Sequence, residues 1–574
     1  MLLLCLSVSA FGKVEMKKQG TAEQIFVNDK PMLVLGGELS NSAATSVDDI
    51  KAVLPRMKAL GLNTVLVPAQ WDLIEPEEGH FDFSTIDATI ETAREEGLKI
   101  IFLWFGAWKN SMSCYAPMWF KKDVRRFPRA VTASGKPLEI ASVFSENVYE
   151  ADSKAFLQLM RRIREKDSDT DNTVIMVQVE NEIGMLEDAR DHSKVANAVF
   201  AKGVPQALKD YLRRHASDLH QNTLYRITGD SVRTLYARKV FDNKLKNATS
   251  WESLFGSGIY TDEMFMAWYY AAYVERLCQA GKAIHDIPFY VNAAMNSRGR
   301  KPGQYPSAGP LAHLSDIWKA ASPSLAMLAP DIYDTGFRLW AWQYHLSNNP
   351  LFIPESRCCE NSGVRAMYVF GAHEAVGFSP FAINEASVAE TENVTRAYAL
   401  IDELTPLLQS YRGKNATFGL LFDQNAKEEI INDGDIVMTC RHNFTLPWDP
   451  RATDGSTWPE GGGIIIRLAK NDYVVAGNGI VVAFQTETEM LQEEQKSLGE
   501  DGFADTGSND ASSTATRRFE GKRIGIGFVD EVKVNANGKM EYVRRLNGDQ
   551  SHQGRHVRIS VGDYRILHVK LYEY

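Results

Sequence analysis

The amino-acid sequence predicts an α/β protein, a (β/α)8 TIM barrel followed by a C-terminal antiparallel β-sandwich-like region. Three observations support this fold. Short apolar runs alternate with amphipathic helices from residue 33 to about 411. Eight of these runs have the length of a buried strand, and beyond 411 the chain changes to short strands broken by Gly, Asn and Asp. Continuous apolar strands that alternate with helices are typical of a parallel sheet covered on both faces.

The eight candidate barrel strands recur as strand–helix units. They lie at residues 32–37, 63–68, 99–105, 174–179, 287–292, 326–332, 350–355 and 375–381. The first helix opens at Ser46, with Asp49 three positions later, a capping-box pattern. Its apolar face has a 3.6-residue period and consists of Ile50, Val53, Leu54, Met57 and Leu60. Eight units predict a closed barrel with the active site at the C-terminal strand ends. An open doubly wound sheet is the alternative, although no phosphate-binding glycine fingerprint follows any strand.

The predicted domain boundaries follow this change in sequence character. Residues 1–10 are a signal-peptide remnant, 11–411 the catalytic barrel and 412–574 the C-terminal β domain. The apolar segment 2–10 ends in Val-Ser-Ala, which predicts cleavage after Ala10 and a secreted protein, extracellular or periplasmic. Four Asn-X-Thr sequons, at Asn247, Asn393, Asn415 and Asn443, are compatible with export. Residues 494–517, rich in Ser, Asp, Gly and Thr, are predicted to be a long mobile loop.

Composition excludes several classes of function. The net charge of −10 and the pI near 5.7 argue against nucleic-acid binding, which requires a basic surface. No apolar run reaches the ~18 residues of a membrane span. The six cysteines lack zinc-type spacing, so the sequence predicts neither a disulfide scaffold nor a metal site. No cofactor is predicted, and the oligomeric state is not encoded in a readable pattern.

Two glutamates lie at strand ends on opposite sides of the predicted barrel. Glu182 follows the fourth strand in "VIMVQVENEIG", and Glu355 ends the seventh strand in "PLFIPES". Both carboxylates can therefore face one central pocket, and paired carboxylates across a cleft are the minimum apparatus of glycoside hydrolysis. The alternative is that each glutamate forms a rim salt bridge with an arginine, but the positions at both strand ends favour catalysis.

Further polar and aromatic residues lie near the same strand ends. Asn110, Asn292 and Glu38 are candidate ligands for sugar hydroxyls. Aromatic rings suit sugar faces, so Trp71, Trp108 and Tyr333 form either a sugar platform or ordinary rim packing. Glu180 is predicted to be an arginine-paired support residue rather than a direct sugar ligand.

Two motifs resemble glycoside hydrolase family 35. "LGLNTVLVPAQWDLIEPEEGHFDF" (60–83) resembles the family's strand-two signature, and "VQVENEIG" (177–184) is similar to its acid/base motif. The resemblance covers roughly residues 30–390 and implies a retaining β-galactosidase with Glu182 as acid/base and Glu355 as nucleophile. It also implies that Asn181 binds the 2-hydroxyl of the sugar. "WFGAWKNS" (104–111) replaces the family's usual strand-three motif, and the chain rather resembles the microbial branch.

The sequence therefore predicts a retaining exo-β-galactosidase that removes terminal β-D-galactosyl residues from oligosaccharides or plant polysaccharide side chains. Another retaining β-glycosidase, a glucosidase or glucosaminidase, is the alternative enzyme. A non-catalytic carbohydrate-binding scaffold is the alternative from another class, although binding alone does not require two opposed carboxylates.

Overall fold

The computed structural model describes residues 13–167, 171–296, 298–492 and 521–574. The predicted signal segment 1–10 and the predicted mobile loop 494–517 lie outside these residues. The chain divides into two compact units. Of the described residues, the first contains those within 13–18, 23–357 and 376–385, and the second contains those within 19–22, 358–375 and 386–574. The predicted boundary at 411 places the helices Ser362–Ala372 and Val388–Tyr411 in the barrel domain, whereas this division groups both helices with the second unit.

The first unit is built on a closed parallel barrel, as predicted. A small sheet of order β1-β2-β3 precedes it, with β1 at Val14–Gln19, β2 at Ala22–Val27 and β3 at Lys30–Met32. The barrel strands are β4 (Val34–Glu38), β5 (Thr64–Gln70), β6 (Lys99–Phe105), β9 (Val174–Gln178), β10 (Phe289–Ala294), β11 (Met327–Ile332), β12 (Phe352–Ile353), β13 (Glu355–Ser356) and β14 (Gly377–Phe378). A two-stranded hairpin, β7 (Arg129–Val131) and β8 (Pro137–Ala141), lies outside the barrel.

The barrel closes through the segment 352–356. Strand β12 pairs with β14, whereas β13 pairs with β11 on the other side. Pro354 separates the two short strands, and a proline has no N–H to donate to a ladder. The segment therefore acts as one barrel strand that changes partner midway, and the nine strands form the eight-strand ring that the sequence predicts. Nearly every barrel-strand residue is buried, which explains the continuous apolar runs.

Helices surround the strands of the first unit. They are α1 (Val47–Ala59), α2 (Trp71–Ile74), α3 (Ser84–Glu96), α4 (Met118–Lys122), α5 (Glu146–Lys166), α6 (Lys194–Phe200), α7 (Gln206–Arg214), α8 (Gln221–Thr228), α9 (Leu235–Asn247), α10 (Trp251–Phe255), α11 (Ile259–Lys282), α12 (Ser315–Ala321) and α13 (Phe337–His345). The Ser46 hydroxyl accepts the Asp49 N–H at 3.1 Å and caps α1 as predicted. The buried face of α1 is Ile50, Val53, Leu54 and Met57, while Leu60 is half-buried at the C-cap. Among the described residues, none of the helices has the combination of length and apolar character needed to cross a bilayer.

The second unit is a two-sheet antiparallel β structure with helices. It contains α14 (Ser362–Ala372), α15 (Val388–Tyr411), β15 (Thr417–Phe422), β16 (Glu428–Asp433), β17 (Ile436–His442), β18 (Gly461–Ala469), β19 (Asp472–Asn478), β20 (Ile480–Thr486), α16 (Glu487–Gln492), β21 (Ile524–Val534), β22 (Met540–Leu546), β23 (Val557–Ile559) and β24 (Arg565–Glu573). One sheet has the order β15-β18-β19-β24-β21-β22 and the other β16-β17-β20-β23. Apolar side chains from both sheets form one core, as expected for a sandwich.

Close packing explains why α14 groups with the β sheets. A Cβ added at Gly419 on β15 would lie 2.2 Å from the Tyr368 carbonyl oxygen, and one at Gly371 would lie 2.6 Å from the Phe418 carbonyl oxygen. Glycine at both positions lets the helix backbone lie directly against the strand. The barrel and the C-terminal β-sandwich-like region are thus confirmed.

Candidate active site

The C-terminal strand ends of the first unit bring polar side chains together. Glu38 ends β4, Asn292 lies on β10, Asp331 lies on β11, and Glu355 opens β13. Asp331 and Glu355 are direct neighbours in the parallel register of β11 and β13. Asn181 and Glu182 lie in the loop after β9, which is the strand before β10 in the ring. The site is therefore assembled from strand ends around the barrel, where such enzymes place their catalytic groups.

The two predicted catalytic carboxyls meet in this cluster. One carboxyl oxygen each from Glu182, Asp331 and Glu355 lies within 4.8 Å of the others. Glu182 is 6% exposed and Glu355 is 4% exposed, so both face a largely water-excluded space. Neither forms a salt bridge with an arginine among the described residues, which argues against the rim salt-bridge interpretation. Oxygens at this spacing are also close enough to hold a cation, but their positions at the barrel mouth suit acid, base and nucleophile chemistry directly.

Glu182 is held by its backbone and its side chain. Its N–H donates to Asn292 Oδ1 at 2.9 Å, and its carbonyl accepts the Ser111 N–H and hydroxyl, each at 3.1 Å. The Asn110 amide nitrogen donates to Glu182 Oε2. Glu182 has a φ of +45°, a left-handed conformation that is unfavourable for a side chain with a Cβ. Contacts from β10 and from the loop after β6 therefore fix this carboxyl in one orientation.

Glu355 accepts two hydrogen bonds across its carboxyl group. The Tyr333 hydroxyl donates to Oε2 at 2.9 Å, and Asn292 Nδ2 donates to Oε1 at 3.3 Å. Burial, together with the charge of Glu182, raises the pKa of Glu355 to about 7. Lys109 and the Tyr333 hydroxyl act in the opposite direction and favour its ionised form. The Asn181 amide also lowers this pKa, although its geometry falls outside that of a hydrogen bond.

Two further carboxyls are buried in the same place. Asp331 Oδ2 accepts Asn292 Nδ2 at 2.7 Å, and burial, with Glu355 and Glu182 nearby, raises the pKa of Asp331 well above its usual range. Glu38 is 0% exposed, and neither of its carboxyl oxygens has a hydrogen-bond partner within the described ranges. Burial and the charge of Glu355 raise the pKa of Glu38 well above normal. Burying a carboxyl without a hydrogen-bond partner costs free energy, so Glu38 is a candidate to bind a polar ligand.

Lys109 supplies positive charge to this acidic cluster. It is 3% exposed, its ammonium group lies 4.7 Å from the centre of the Phe105 ring, and its charge lowers the pKa of both Glu355 and Glu38. Neither Lys109 nor Asp331 was identified from the sequence. Lys109 could have been found because it lies between Trp108 and Asn110, two residues that were recognised after the same strand.

The predicted substrate ligands differ in their hydrogen-bond partners and in their exposure. Asn110, Asn292, Glu38 and Asn181 all lie in the site, where the first two already hydrogen-bond to protein carboxyls. Tyr333 is 40% exposed and binds Glu355 through its hydroxyl. These positions are compatible with sugar contacts, which remain predictions.

Of the two alternatives for Trp71 and Trp108, a sugar platform is wrong, and both rings are packed against other residues. Both rings are fully buried. Trp71 begins α2 immediately after β5, packs 5.0 Å from Phe120 between ring centres, and donates its Nε1–H to Glu75 at 2.9 Å. Trp108 packs edge-on against Tyr273 with ring centres 4.9 Å apart. In both cases the chain turns at the strand end and directs the ring into the protein interior.

The arginine-paired role predicted for Glu180 is also wrong. Strand β9 ends at Gln178, and Glu180 has a φ of +61°, so the chain does not stay extended to Glu182. Glu180 is buried and accepts the Trp108 N–H at 2.8 Å. Its other neighbour is the carboxyl of Asp152, which is an acid instead of a base.

Comparison with known proteins places this site in context. Residues 43–225 match the model of glycoside hydrolase family 42, described as beta-galactosidase, and residues 394–558 match a domain of unknown function, DUF5597. The first match contains Asn181 and Glu182 but ends before Glu355. The matching family is one of beta-galactosidases, and the match does not single out family 35.

Individual relatives are similar over part of their length. The chain is 30% identical over 197 residues to a beta-galactosidase of Xanthomonas manihotis, covering 33% of this chain and 30% of that protein. It is 30% identical over 160 residues to human beta-galactosidase-1-like protein 3, covering 27% and 22% of the two chains. A beta-galactosidase structure from Halorubrum lacusprofundi aligns with a TM-score of 0.41 at 15% identity, over 64% of this chain and 58% of that one. The chain thus spans less than a third of the length of the curated relatives that it matches.

Proposed function

We propose that the protein is a retaining exo-β-galactosidase that hydrolyses terminal β-D-galactosyl residues of oligosaccharides or plant polysaccharide side chains. The observation that carries the proposal is the approach of Glu182 and Glu355, whose oxygens lie within 4.8 Å. Retaining glycosidases place their carboxyls about 5–5.5 Å apart, whereas inverting enzymes leave about 6.5–9.5 Å for a water molecule. The family match over residues 43–225 supports the choice of sugar.

The proposed mechanism uses the two carboxyls in turn. Protonated Glu182 gives its proton to the glycosidic oxygen while ionised Glu355 attacks the anomeric carbon, and the bond to the leaving group breaks. Glu182, now ionised, removes a proton from water, which attacks the same carbon and releases Glu355 with the sugar configuration retained. Because Glu355 must be ionised to attack, its Tyr333 hydrogen bond and the charge of Lys109 favour the reactive form.

The neighbouring polar groups are proposed to bind the sugar. Asn181 has a buried amide with no hydrogen-bond partner among the residues that the structure describes, which suits a contact with the 2-hydroxyl. Glu38 has two unpartnered carboxyl oxygens, so a sugar hydroxyl would satisfy a group that is otherwise costly to bury. Asp331, held by Asn292, lies beside both catalytic carboxyls and is a further candidate for such a contact.

Two narrower assignments belong to this proposal. Membership of glycoside hydrolase family 35 is supported by the motifs at 60–83 and 177–184, whereas the matching family model is that of family 42. Secretion is supported by the apolar segment 2–10 and the four sequons. Sequencing the N-terminus of protein recovered from the culture medium or periplasm tests secretion: a start at Phe11 is expected, and cell-retained protein that still begins at Met1 would contradict it.

A panel of nitrophenyl β-glycosides tests the activity. We expect the wild type to prefer the galactoside and Glu355→Gln to be inactive. Glu182→Gln should lose about 10²–10⁴-fold in kcat on a substrate with a poor leaving group. Glu275→Gln is the matched control, because Glu275 is a buried carboxyl on α11 that accepts the Ser324 N–H at 3.0 Å and does not belong to the cluster around Glu182 and Glu355.

The outcomes of this panel separate the alternatives. Equal activity of the wild type and Glu355→Gln would reject the nucleophile assignment. Preference for a glucoside or glucosaminide would replace the sugar while keeping the mechanism. A wild type that binds galactosides without turning them over would favour the scaffold interpretation.

A further inference from the structure

A second pair of buried carboxyls lies behind the catalytic loop. Glu180 is 1% exposed and lies two residues before Glu182, while Asp152 is 0% exposed and lies on α5. A Cβ added at Gly106 would lie 2.6 Å from Asp152 Oδ1 and 2.8 Å from Glu180 Oε1. The two oxygens therefore converge on the same small space, which the glycine leaves open.

The hydrogen bonds around the pair leave room for one shared proton. Asp152 Oδ1 accepts the Trp104 Nε1–H at 3.0 Å, and Oδ2 accepts the Tyr273 hydroxyl at 2.6 Å. Glu180 Oε2 accepts the Trp108 N–H at 2.8 Å, and the Ala107 N–H also lowers the pKa of Glu180. No donor among the described residues meets hydrogen-bond geometry at Glu180 Oε1. Two ionised carboxylates this close in a buried site are strongly unfavourable. A proton on Glu180 Oε1, directed to Asp152, satisfies both groups.

The charge environment agrees with this arrangement. Burial and the neighbouring Asp152 raise the pKa of Glu180 well above its usual range, and burial raises the pKa of Asp152. None of the described interactions that shift either pKa comes from a basic side chain. The pair is therefore expected to keep one proton at neutral pH.

Glu180 connects this pair to the acid/base residue. It binds the Trp108 N–H, and the Trp108 carbonyl accepts the Asn181 N–H at 3.2 Å. The following residues of the same loop hold Glu182: Asn110 donates to its carboxyl and Ser111 to its carbonyl. The φ angles of Asn110 (+52°), Ser111 (+58°) and Glu180 (+61°) are all left-handed. Such backbone persists only where surrounding contacts impose it.

We propose that Glu180 and Asp152 share a single proton and that this neutral–ionised pair positions the loop 106–111 against Glu182. Glu180 is thus a positioning residue for the acid/base and does not touch substrate. The kinetic part of the proposal depends on the glycosidase activity proposed above, whereas the shared proton and the ordering of the loop do not.

Glutamine and alanine at position 180 distinguish the shared proton from simple packing. Glu180→Gln can accept from the Trp108 N–H and donate to Asp152, so it mimics the protonated acid and should retain near wild-type kcat. Glu180→Ala releases the loop, and a displacement of about 1 Å at the acid/base lowers kcat by about 10²-fold. KM should change far less than kcat in Glu180→Ala, because the sugar ligands remain. Glu275→Ala, which also removes a buried carboxyl from a loop N–H, should leave kcat unchanged.

Two measurements do not depend on turnover. Infrared difference spectra at pH 7 between the wild type and Glu180→Gln should show the loss of one protonated-carboxyl band. Glu275→Gln, whose parent carboxyl accepts hydrogen bonds at both oxygens, is the control and should leave that band in place. Amide hydrogen exchange in residues 106–111 should be faster in Glu180→Ala than in the wild type, Glu180→Gln or Glu275→Ala.

Each result bears on the proposal. Absence of an acid band in the wild type minus Glu180→Gln spectrum would overturn the shared proton. Unchanged exchange at 106–111 in Glu180→Ala, or equal loss of kcat in the alanine and glutamine variants, would overturn the positioning role. If the wild type hydrolyses no glycoside, the function proposed above fails, and the infrared and exchange measurements still decide this inference.

Discussion

Replacing Tyr333 with phenylalanine should move the acidic limb of the pH–rate profile to higher pH. The Tyr333 hydroxyl donates to Glu355 at 2.9 Å and favours the ionised carboxylate that must attack the sugar. Hydrogen bonds to charged groups contribute about 1.5–3 kcal/mol. The lower value is appropriate because Tyr333 is 40% exposed and solvent weakens the interaction. At 1.36 kcal/mol per pKa unit, the loss corresponds to about one unit.

This shift has a measurable size. The pKa of Glu355 is about 7, so about half of the free protein carries the ionised nucleophile at pH 7. A rise of about one unit leaves about one tenth ionised, which lowers kcat/KM at pH 7 by about fivefold. The deficit should shrink as the pH rises, because the carboxyl then ionises in both proteins.

The assay is kcat/KM for a nitrophenyl β-galactoside, measured across pH for the wild type and Tyr333→Phe. Tyr305→Phe is the matched control, since the Tyr305 hydroxyl donates at the same 2.9 Å to the buried Glu263 outside the catalytic cluster. An acidic limb that stays in place, or that moves to lower pH, would refute the assignment of Tyr333 as a group that stabilises ionised Glu355.

Three other predictions concern two residues of this site and one residue of the core. Lys109→Met removes a charge that lowers the pKa of Glu355, so the acidic limb of the kcat/KM profile should move to higher pH by about one unit or more. Lys109→Arg keeps the charge and should not move the limb to higher pH in the same series. Glu355→Gln should gain stability over the wild type as pH rises. Because folding raises the pKa of Glu355 from 4.5 to about 7, the wild-type protein loses about 3 kcal/mol of folding stability as pH rises through that window, and the glutamine variant does not. Thermal unfolding of both proteins at pH 4 and pH 8 measures the difference. Trp71→Ala should destabilise the protein by about 3–5 kcal/mol and leave the KM of the folded protein unchanged, because this ring is core; a raised KM with unaltered unfolding would contradict that.

The barrel was predictable because its signal is local. Each predicted strand is an apolar run of six or seven residues bounded by helical periodicity, and six of the eight differ from the structure by at most two residues at either end. The predicted strand at 375–381 is shortened to Gly377–Phe378. The remaining one, at 350–355, is divided at Pro354, a residue whose effect on a ladder is visible in the sequence. The grouping of α14 with the β sheets was not visible, because it depends on glycine-mediated contact between segments far apart in the chain.

By itself, the sequence determined that Glu182 and Glu355 lie at the C-terminal ends of apolar segments on opposite sides of a parallel barrel, and the closure of such a ring brings these ends together. It could not determine the directions of side chains beyond the strands, because turns and left-handed residues there depend on contacts from other segments. Only the tertiary structure decided that Trp71 and Trp108 point into the core. It also decided that Lys109 and Asp331 join the site, and that Glu180 faces an acid on α5 instead of an arginine. Burial and charge at this barrel mouth are properties of the assembled ring, since each carboxyl's pKa depends on neighbours supplied by other strands.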